Sequence, residues 1–318
     1  MTGAGPLVSI VTPTLNQGRY IERTIESIRA QTYTRLEHIV VDGGSSDETL
    51  DVLRRYEGTY DLRWTSGQDS GMYQAINRGF ALAKGDILAY LNSDDLYLPW
   101  SVETAVRGLE QAGAPELVYG DALLLDEETG RLRPHFQPPF RRAYLHSIGS
   151  FAQPATWWRR ELLDRVGGFD EELRFTADLD FYLRAADAGR IVRIREFLAV
   201  MRLHPAMSTV TQATRIRDEN QRTRERRGGT ATPITALERM RAWAARRQAW
   251  LALTRSAASA ARRARSAGGG GSEGPWPRFV ARGVRIRPAR VVLGLLPGLG
   301  NRFQWGAIEA PWVAEVAG

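Results

Sequence analysis

The apolar run Ile87-Leu88-Ala89-Tyr90-Leu91 stops abruptly at Asn92-Ser93-Asp94-Asp95, and no other pattern in the chain restricts its fold as much. Apolar residues in succession, without alternation, read as a strand covered on both faces, the kind found inside α/β sheets. Such a strand ends at the sheet edge where α/β proteins hold ligands, and this one delivers two carboxylates there. Adjacent carboxylates on a tight turn repel each other. A divalent cation, Mn2+ or Mg2+, relieves that repulsion, because hard cations prefer oxygen ligands and sit against substrate phosphates. The plain alternative is a solvated turn with a helix cap before Pro99.

The same punctuation recurs upstream. Short apolar runs alternate with helical patterns through the first 125 residues, which predicts βαβ units and a largely parallel sheet. Strands are expected at Leu7–Thr12, Glu37–Val41, Leu62–Thr65, Ile87–Leu91 and Leu117–Tyr119. Helices are expected near Tyr20–Ala30, Asp47–Tyr56, Met72–Ala83 and Trp100–Gln111, with Ile21, Ile25 and Ile28 on the buried face of the first. Ser45 and Glu48 have capping-box spacing, which gives Ser45 and Asp47 structural explanations. Further on come a hairpin signal at Asp126–Gly130, a Pro-rich loop at Pro134–Phe140 and a short helix at Arg160–Val166. A helix at Asp178–Ala188 and strands at Ile191–Ile194 and Phe197–Leu203 follow.

The first strand runs into Thr12-Pro13-Thr14-Leu15-Asn16, a turn able to offer backbone N–H groups to an anion or a base edge. No G-x-G-x-x-G follows it, so a nicotinamide-type dinucleotide site is not expected. The second strand ends in Asp42-Gly43-Gly44, an acid before a turn that needs positive φ. An acid there can accept from a nucleobase N–H or a ribose hydroxyl, or simply form the turn.

Composition narrows the class. The absence of cysteine excludes a disulfide scaffold and a thiolate zinc site. No basic leader precedes Leu7, and no stretch approaches the roughly 18 uninterrupted apolar residues of a spanning helix. A cytoplasmic protein is expected. Charge is divided unevenly: residues 211–290 carry 19 arginines against five acids, a balance of +14 that leaves −7 for the remainder of a chain whose net charge is +7.

From Val8 to about Ser208, some two-thirds of the chain, an ordered set of motifs resembles the family 2 glycosyltransferases of GT-A fold. The set comprises Val8–Asn16, Val40–Asp47, Asp69–Gly79, Gly85–Asp95, Gly167–Asp170, Ala177–Arg184 and Arg202–Pro205. The resemblance implies an α/β nucleotide-diphospho-sugar transferase with a mostly parallel sheet flanked by helices. It implies that Thr12, Pro13 and Asn16 line the nucleotide, that Asp42 holds the base and that Asp69 closes the pocket. Asn92-Ser93-Asp94 falls on the family's D-x-D motif. Asn92 departs from it: an amide can accept a ribose hydroxyl but adds no charge, so the metal load rests on Asp94, with Asp95 as neighbour. Asp178 matches the family's catalytic base, although Ala177 stands where Glu is usual. Asp180 reads as a partner for Arg184 at i+4 rather than a catalytic group. His204 either reaches the metal or orders its loop.

The implied activity is inverting, metal-dependent transfer of a sugar from a nucleotide-diphosphate donor to a hydroxyl acceptor, such as a lipid-linked saccharide of a bacterial surface polysaccharide. A nucleotidyltransferase of related fold is the enzymatic alternative, but Thr12–Gly18 is not the Gly-rich basic loop that holds a triphosphate. An arginine-rich nucleic-acid-binding protein with an inactive transferase domain is the other alternative. It would need aromatic stacking platforms on the basic region, whereas Trp243 and Trp250 fall on one helix face, so no nucleic acid is expected. Residues 1–210 read as the catalytic domain and 211–318 as a basic helical extension, its longest helix at Ile234–Arg265 and a flexible linker at Gly268–Gly271. Tryptophans and arginines on such helices suit an anionic membrane surface. The alternative is a cover for the catalytic domain or a partner subunit.

Overall fold

The periodicities resolve into a single mixed sheet in the computed structural model, which describes residues 5–147 and 150–229. In chain order the elements are β1 (Val8–Thr14), α1 (Gly18–Arg29), β2 (Leu36–Asp42), α2 (Thr49–Tyr56), β3 (Leu62–Ser66) and α3 (Met72–Leu82). Next come β4 (Ile87–Tyr90), β5 (Leu96–Tyr97), α4 (Ser101–Glu110), β6 (Leu117–Asp126), β7 (Arg131–His135) and α5 (Arg142–Ser147). The last are β8 (Thr156–Arg159), α6 (Arg160–Val166), α7 (Ala177–Ala188), β9 (Ile191–Leu203), α8 (Ser208–Thr211) and α9 (Ala213–Arg226).

The strand order is β3-β2-β1-β4-β8-β6-β9-β5, with β7 added to β6. Strands β3, β2, β1 and β4 are mutually parallel, so their C-terminal ends share one edge. Strand β8 then runs antiparallel to both β4 and β6, β9 returns parallel to β6, and β5 lies antiparallel on β9. The strand interiors are apolar because helices cover both faces. Ile21 and Ile25 of α1 pack with Val52 and Leu53 of α2 over Val40. On the opposite face Tyr73, Ile76 and Phe80 of α3 pack with residues of α6 and α7 over Val11, Val41 and Tyr90.

Several expectations shift. Strand β8 went unread: Thr156-Trp157-Trp158-Arg159 has no alternation, because Trp157 and Trp158 are both wholly buried, one in each of two core clusters. The stretch expected as a Pro-rich loop begins inside β7, where Pro134 pairs with Leu123. Proline is tolerated there because β7 is bonded to β6 alone. The two late strands are one, β9, with register irregularities opposite Tyr119–Ala122. The capping box does not form. Glu48 makes no cap, and Asp47 does the work instead, accepting the Thr49 amide at 3.0 Å and the Gly18 amide at 2.9 Å. Helix α9 packs on the body with Glu219 and Thr223 buried, so ordered packing continues past the boundary expected at residue 210. The expected helices beyond it, Ile234–Arg265 among them, lie outside the described residues. Among the described residues no helix is long and apolar enough to cross a membrane.

Candidate active site

Three turns at the shared sheet edge are tied to one another. Asn16, after β1, sits at φ 52°, a left-handed conformation that asparagine tolerates. Its amide donates to Ser45 Oγ at 2.7 Å, and its Oδ1 accepts the Ser46 amide at 2.9 Å. Gly44 has φ 90°, the positive value that the turn after β2 needs. A Cβ on Gly43 would lie 2.9 Å from Asp69 Oδ2, so glycine there lets the loop after β3 close onto the turn after β2.

Two residues expected to touch the nucleotide are committed elsewhere. Thr12 is wholly buried, and its hydroxyl bonds His38 Nε2 at 2.9 Å inside the fold, so its side chain is not presented at the sheet edge. Asp42 is wholly buried as well. Its Oδ2 accepts the Gly44 and Ser45 amides at 3.0 Å and Ser66 Oγ at 2.6 Å, and its Oδ1 accepts Ser45 Oγ. The Asp42 carboxylate thus builds the turn after β2. Pro13 is buried in β1, whereas Asn16 is exposed and Asp69 half-buried with its Oδ1 on the Gly71 amide at 3.0 Å.

The turn after β4 meets the end of β9. The pairing of Leu96 with Val200 places Arg202 beside Asp94 and Asp95 and carries His204 to the same turn. His204 Nε2 lies 3.2 Å from Asp94 Oδ2, and its ring stacks on Tyr20 with centroids 4.5 Å apart. Asp94 keeps part of its carboxylate exposed, 22% of the side chain. Asp95 points inward and accepts the Arg202 amide at 3.1 Å. Burial first, and Asp94 alongside second, push its carboxyl well above the usual range, which suits an anchor better than a ligand. Ser93 is buried, and its carbonyl accepts Thr24 Oγ1 at 2.7 Å. Beneath the turn lies Arg202, a side chain 1% exposed. It donates to the Asp94 carbonyl through Nε and to the Tyr20 carbonyl at 3.0 Å through a terminal nitrogen. Sequence reasoning gave Arg202 no role; an arginine inside the otherwise apolar run Phe197–Leu203 was the available signal.

The donor set fits a hard divalent cation. Asp94 offers a carboxylate with His204 beside it, while Asn92 Oδ1 and His204 Nδ1 are buried without hydrogen-bond partners. Among the described residues there is no group of three or more His, Asp or Glu that would form a closed cage. An open site of one carboxylate, completed by substrate phosphate, is the way Mg2+ is usually held.

Asp178 opens α7 as its second residue, and its Oδ1 accepts the Leu179 amide at 2.7 Å. Tyr73, Tyr90 and Tyr182 surround it, each held protonated well above the ordinary tyrosine value, chiefly by burial. Burial likewise pushes the Asp178 carboxyl up to about 6, against the lowering effect of the Leu179 amide. Tyr90 senses both Asp178 and Asp95, which places α7's first turn and the Asn92–Asp95 turn around one tyrosine. Asp180, as expected, pairs with Arg184 at 2.8 Å, and Arg226 of α9 and the following Arg227 join it there.

The parallel half-sheet, the turns at its edge and the antiparallel strands beyond β4 define a GT-A fold. The model of Glycosyl transferase family 2 matches residues 9–167, half of the chain, and the protein belongs to that family. An uncharacterized glycosyltransferase of Mycobacterium tuberculosis is 36% identical over 198 residues, spanning 61% of this chain and 74% of its own. A PGL/p-HBAD biosynthesis glycosyltransferase of Mycobacterium bovis is 32% identical over 57% of this chain and 70% of its own. Among solved structures, a mannosyltransferase from Pyrobaculum calidifontis, in complex with GDP-Man and Mn2+, superposes with a TM-score of 0.56 at 22% identity, covering 98% of this chain and 86% of that one. Residues 1–349 of S. aureus TarS, in complex with UDP, give a TM-score of 0.56 at 21% identity over 73% and 68% of the two chains. A longer TarS chain is covered over 37% of its length. At these identities the structural matches establish the fold, and the protein is a glycosyltransferase by its family.

Proposed function

We propose that this glycosyltransferase inverts the configuration of a sugar it transfers from a nucleotide-diphosphate donor to a hydroxyl acceptor, with Asp178 as general base and Asp94 as the ligand of a divalent cation. The observation that carries the reading is a carboxyl raised to about 6 at the start of α7, separated by Tyr90 from the metal-suited turn. A base with that value is ionised at neutral pH yet basic enough to accept a proton as attack proceeds. The acceptor O–H proton passes to Asp178 while the acceptor oxygen bonds to the anomeric carbon. The bond from that carbon to the diphosphate oxygen breaks, and its electron pair leaves with the nucleoside diphosphate. One displacement inverts the centre, by the geometry known for single-step glycosidases. A bound Mn2+ or Mg2+ offsets the charge growing on the diphosphate. Asp94 would hold it, His204 would orient Asp94, and Asn92 Oδ1, which has no hydrogen-bond partner, would accept a ribose hydroxyl. Asn16, Pro13 and Asp69 flank the nucleotide, and Asp42 and Ser93 keep the turns in shape.

Family membership displaces the nucleotidyltransferase alternative. The basic tail supports an acceptor held at an anionic membrane surface, a lipid-linked saccharide, with the enzyme peripheral on the cytoplasmic face. The reading is tested with purified protein, Mn2+ or Mg2+, and a panel of sugar nucleotides that includes UDP-GlcNAc and GDP-mannose. Metal-dependent release of nucleoside diphosphate from one donor is expected. Binding without release from any donor, with or without metal, contradicts it.

A further inference from the structure

Glu219 on α9 is a buried carboxylate with no ion-pair partner among the described residues, an uncommon state for an acid. Its Oε1 accepts the Phe175 amide at 2.8 Å, the Thr176 amide at 3.0 Å and Thr176 Oγ1 at 3.1 Å. Thr176 Oγ1 also meets Thr223 Oγ1, one turn along α9, at 3.0 Å. Thr176 is the N-cap residue of α7, and its hydroxyl would ordinarily cap the helix. Here it makes no cap bond, because α9 takes it. The backbone immediately before Asp178 is therefore held from outside α7. A second grip lies two residues past Asp178. Arg227 reaches both oxygens of Asp180, at 2.8 and 3.1 Å, and Arg226 spans Asp170 and Asp180 at 2.8 and 3.2 Å.

We infer that Glu219 is a positioning residue for Asp178: from α9 it fixes the Phe175–Thr176 backbone, and so sets where α7 begins and where the Asp178 carboxylate is held. The inference rests on the reading of Asp178 as the base. A brace built only for stability could use a neutral acceptor such as Gln at this place, since a second carboxylate near Asp178 raises the cost of ionising it. The groups facing Asp178 are Tyr73 from α3, Tyr90 from β4, Tyr182 from α7 and Glu219 from α9; Glu219 is the acid among them, and its charge bears on Asp178 in the raising direction. The first helix of the basic extension thereby belongs to the transfer machinery.

The test uses the full chain. Asp178 is titrated by carboxyl 13C NMR, with Asp178→Asn identifying its resonance. Hydrolysis of UDP-GlcNAc or GDP-mannose, whichever turns over, supplies kcat and donor KM. Glu219→Gln keeps the acceptor for both amides but removes the charge. Its Asp178 midpoint should move to lower pH than in the wild type, with kcat within about threefold. Glu219→Ala releases the backbone and should lower kcat by about 10–100-fold, the scale of a misplaced catalytic group, with donor KM within about twofold. If Glu219→Ala does not fold, Thr176→Val, which removes the hydroxyl arm alone, should show the same split in lesser degree. A folded Glu219→Ala with wild-type kcat overturns the inference even if the Asp178 midpoint moves; where that variant does not fold, wild-type kcat in Thr176→Val does. If instead Asp178→Asn hydrolyses donor at the wild-type rate, it is the base reading that fails, and which variant keeps wild-type turnover separates the two failures.

Discussion

At the scale of single residues the site depends on which polar atoms are spent and which are left free. Asn92 Oδ1 is buried and unpartnered on the same turn as the partly exposed Asp94. Asp94→Ala should abolish transfer and weaken nucleotide binding, because the diphosphate loses its counter-charge. Asn92→Asp should be tolerated and bind Mn2+ more tightly. Titration calorimetry with Mn2+ and UDP or GDP checks both, and an inactive but folded Asn92→Asp would mean that the amide has a part the charge argument misses. His38 makes a different prediction. It is buried between Thr12 Oγ1 at 2.9 Å and Tyr60 Oη at 2.6 Å, and burial pushes its pKa down to about 3. The folded state thus favours neutral imidazole. Its contribution to stability is present above the unfolded value near 6.5 and is lost as pH falls from there toward about 3. Urea midpoints measured across that range should fall with acid, and fall less in His38→Gln; parallel curves would exclude His38 as a source of the acid sensitivity. That Thr12 serves this histidine was illegible in the sequence, since Thr12 and His38 are 26 positions apart and meet only through sheet register.

At the scale of elements, what was legible followed from periodicity. The isoleucines at 21, 25 and 28 mark the buried face of α1, and the run at Ile87–Leu91 is a covered strand, because burial and spacing there agree. What was missed depends on partners remote in the chain. Strand β8 has no local period, and its assignment follows from the slot between β4 and β6. The capping box at Ser45 and Glu48 failed for a related reason: Ser45 is drawn to Asp42 and Asn16, leaving Asp47 to start α2. Asp47→Ala should therefore cost about 1–2 kcal/mol, the value of a lost cap plus the freed Gly18 amide. Glu48→Ala, on an exposed side chain, should stay within about 0.5 kcal/mol. Equal losses from the two substitutions, read from chemical denaturation, would restore the capping box.

At the scale of the whole molecule, the chain joins an acidic transferase body to a strongly basic C-terminal region. Helix α9 carries the ordered body past residue 210, so a truncation at Thr211 would remove the brace on α7 together with the tail. Membrane docking is better tested on the full chain. It should float with vesicles rich in phosphatidylglycerol and detach at high salt, each arginine near the surface adding about 1 kcal/mol. Replacing Arg246, Arg247, Arg262, Arg263 and Arg265 with Gln should abolish flotation while leaving donor hydrolysis in solution intact. Flotation unaffected by the substitutions, or absent from both chains, would leave the tail without a membrane role. The candidate site was legible where a motif names a residue, as at Asp94 and Asp178, and illegible where a side chain bonds to it from another element, as Arg202 and Glu219 do. The proposed mechanism depends most on Asp178. Its most direct measurement is the kcat of Asp178→Asn, alongside donor affinity determined by calorimetry in the presence of Mn2+. Turnover should fall by about 10²–10⁴-fold, as loss of a general base does, with donor affinity unchanged; turnover at the wild-type rate would contradict the mechanism.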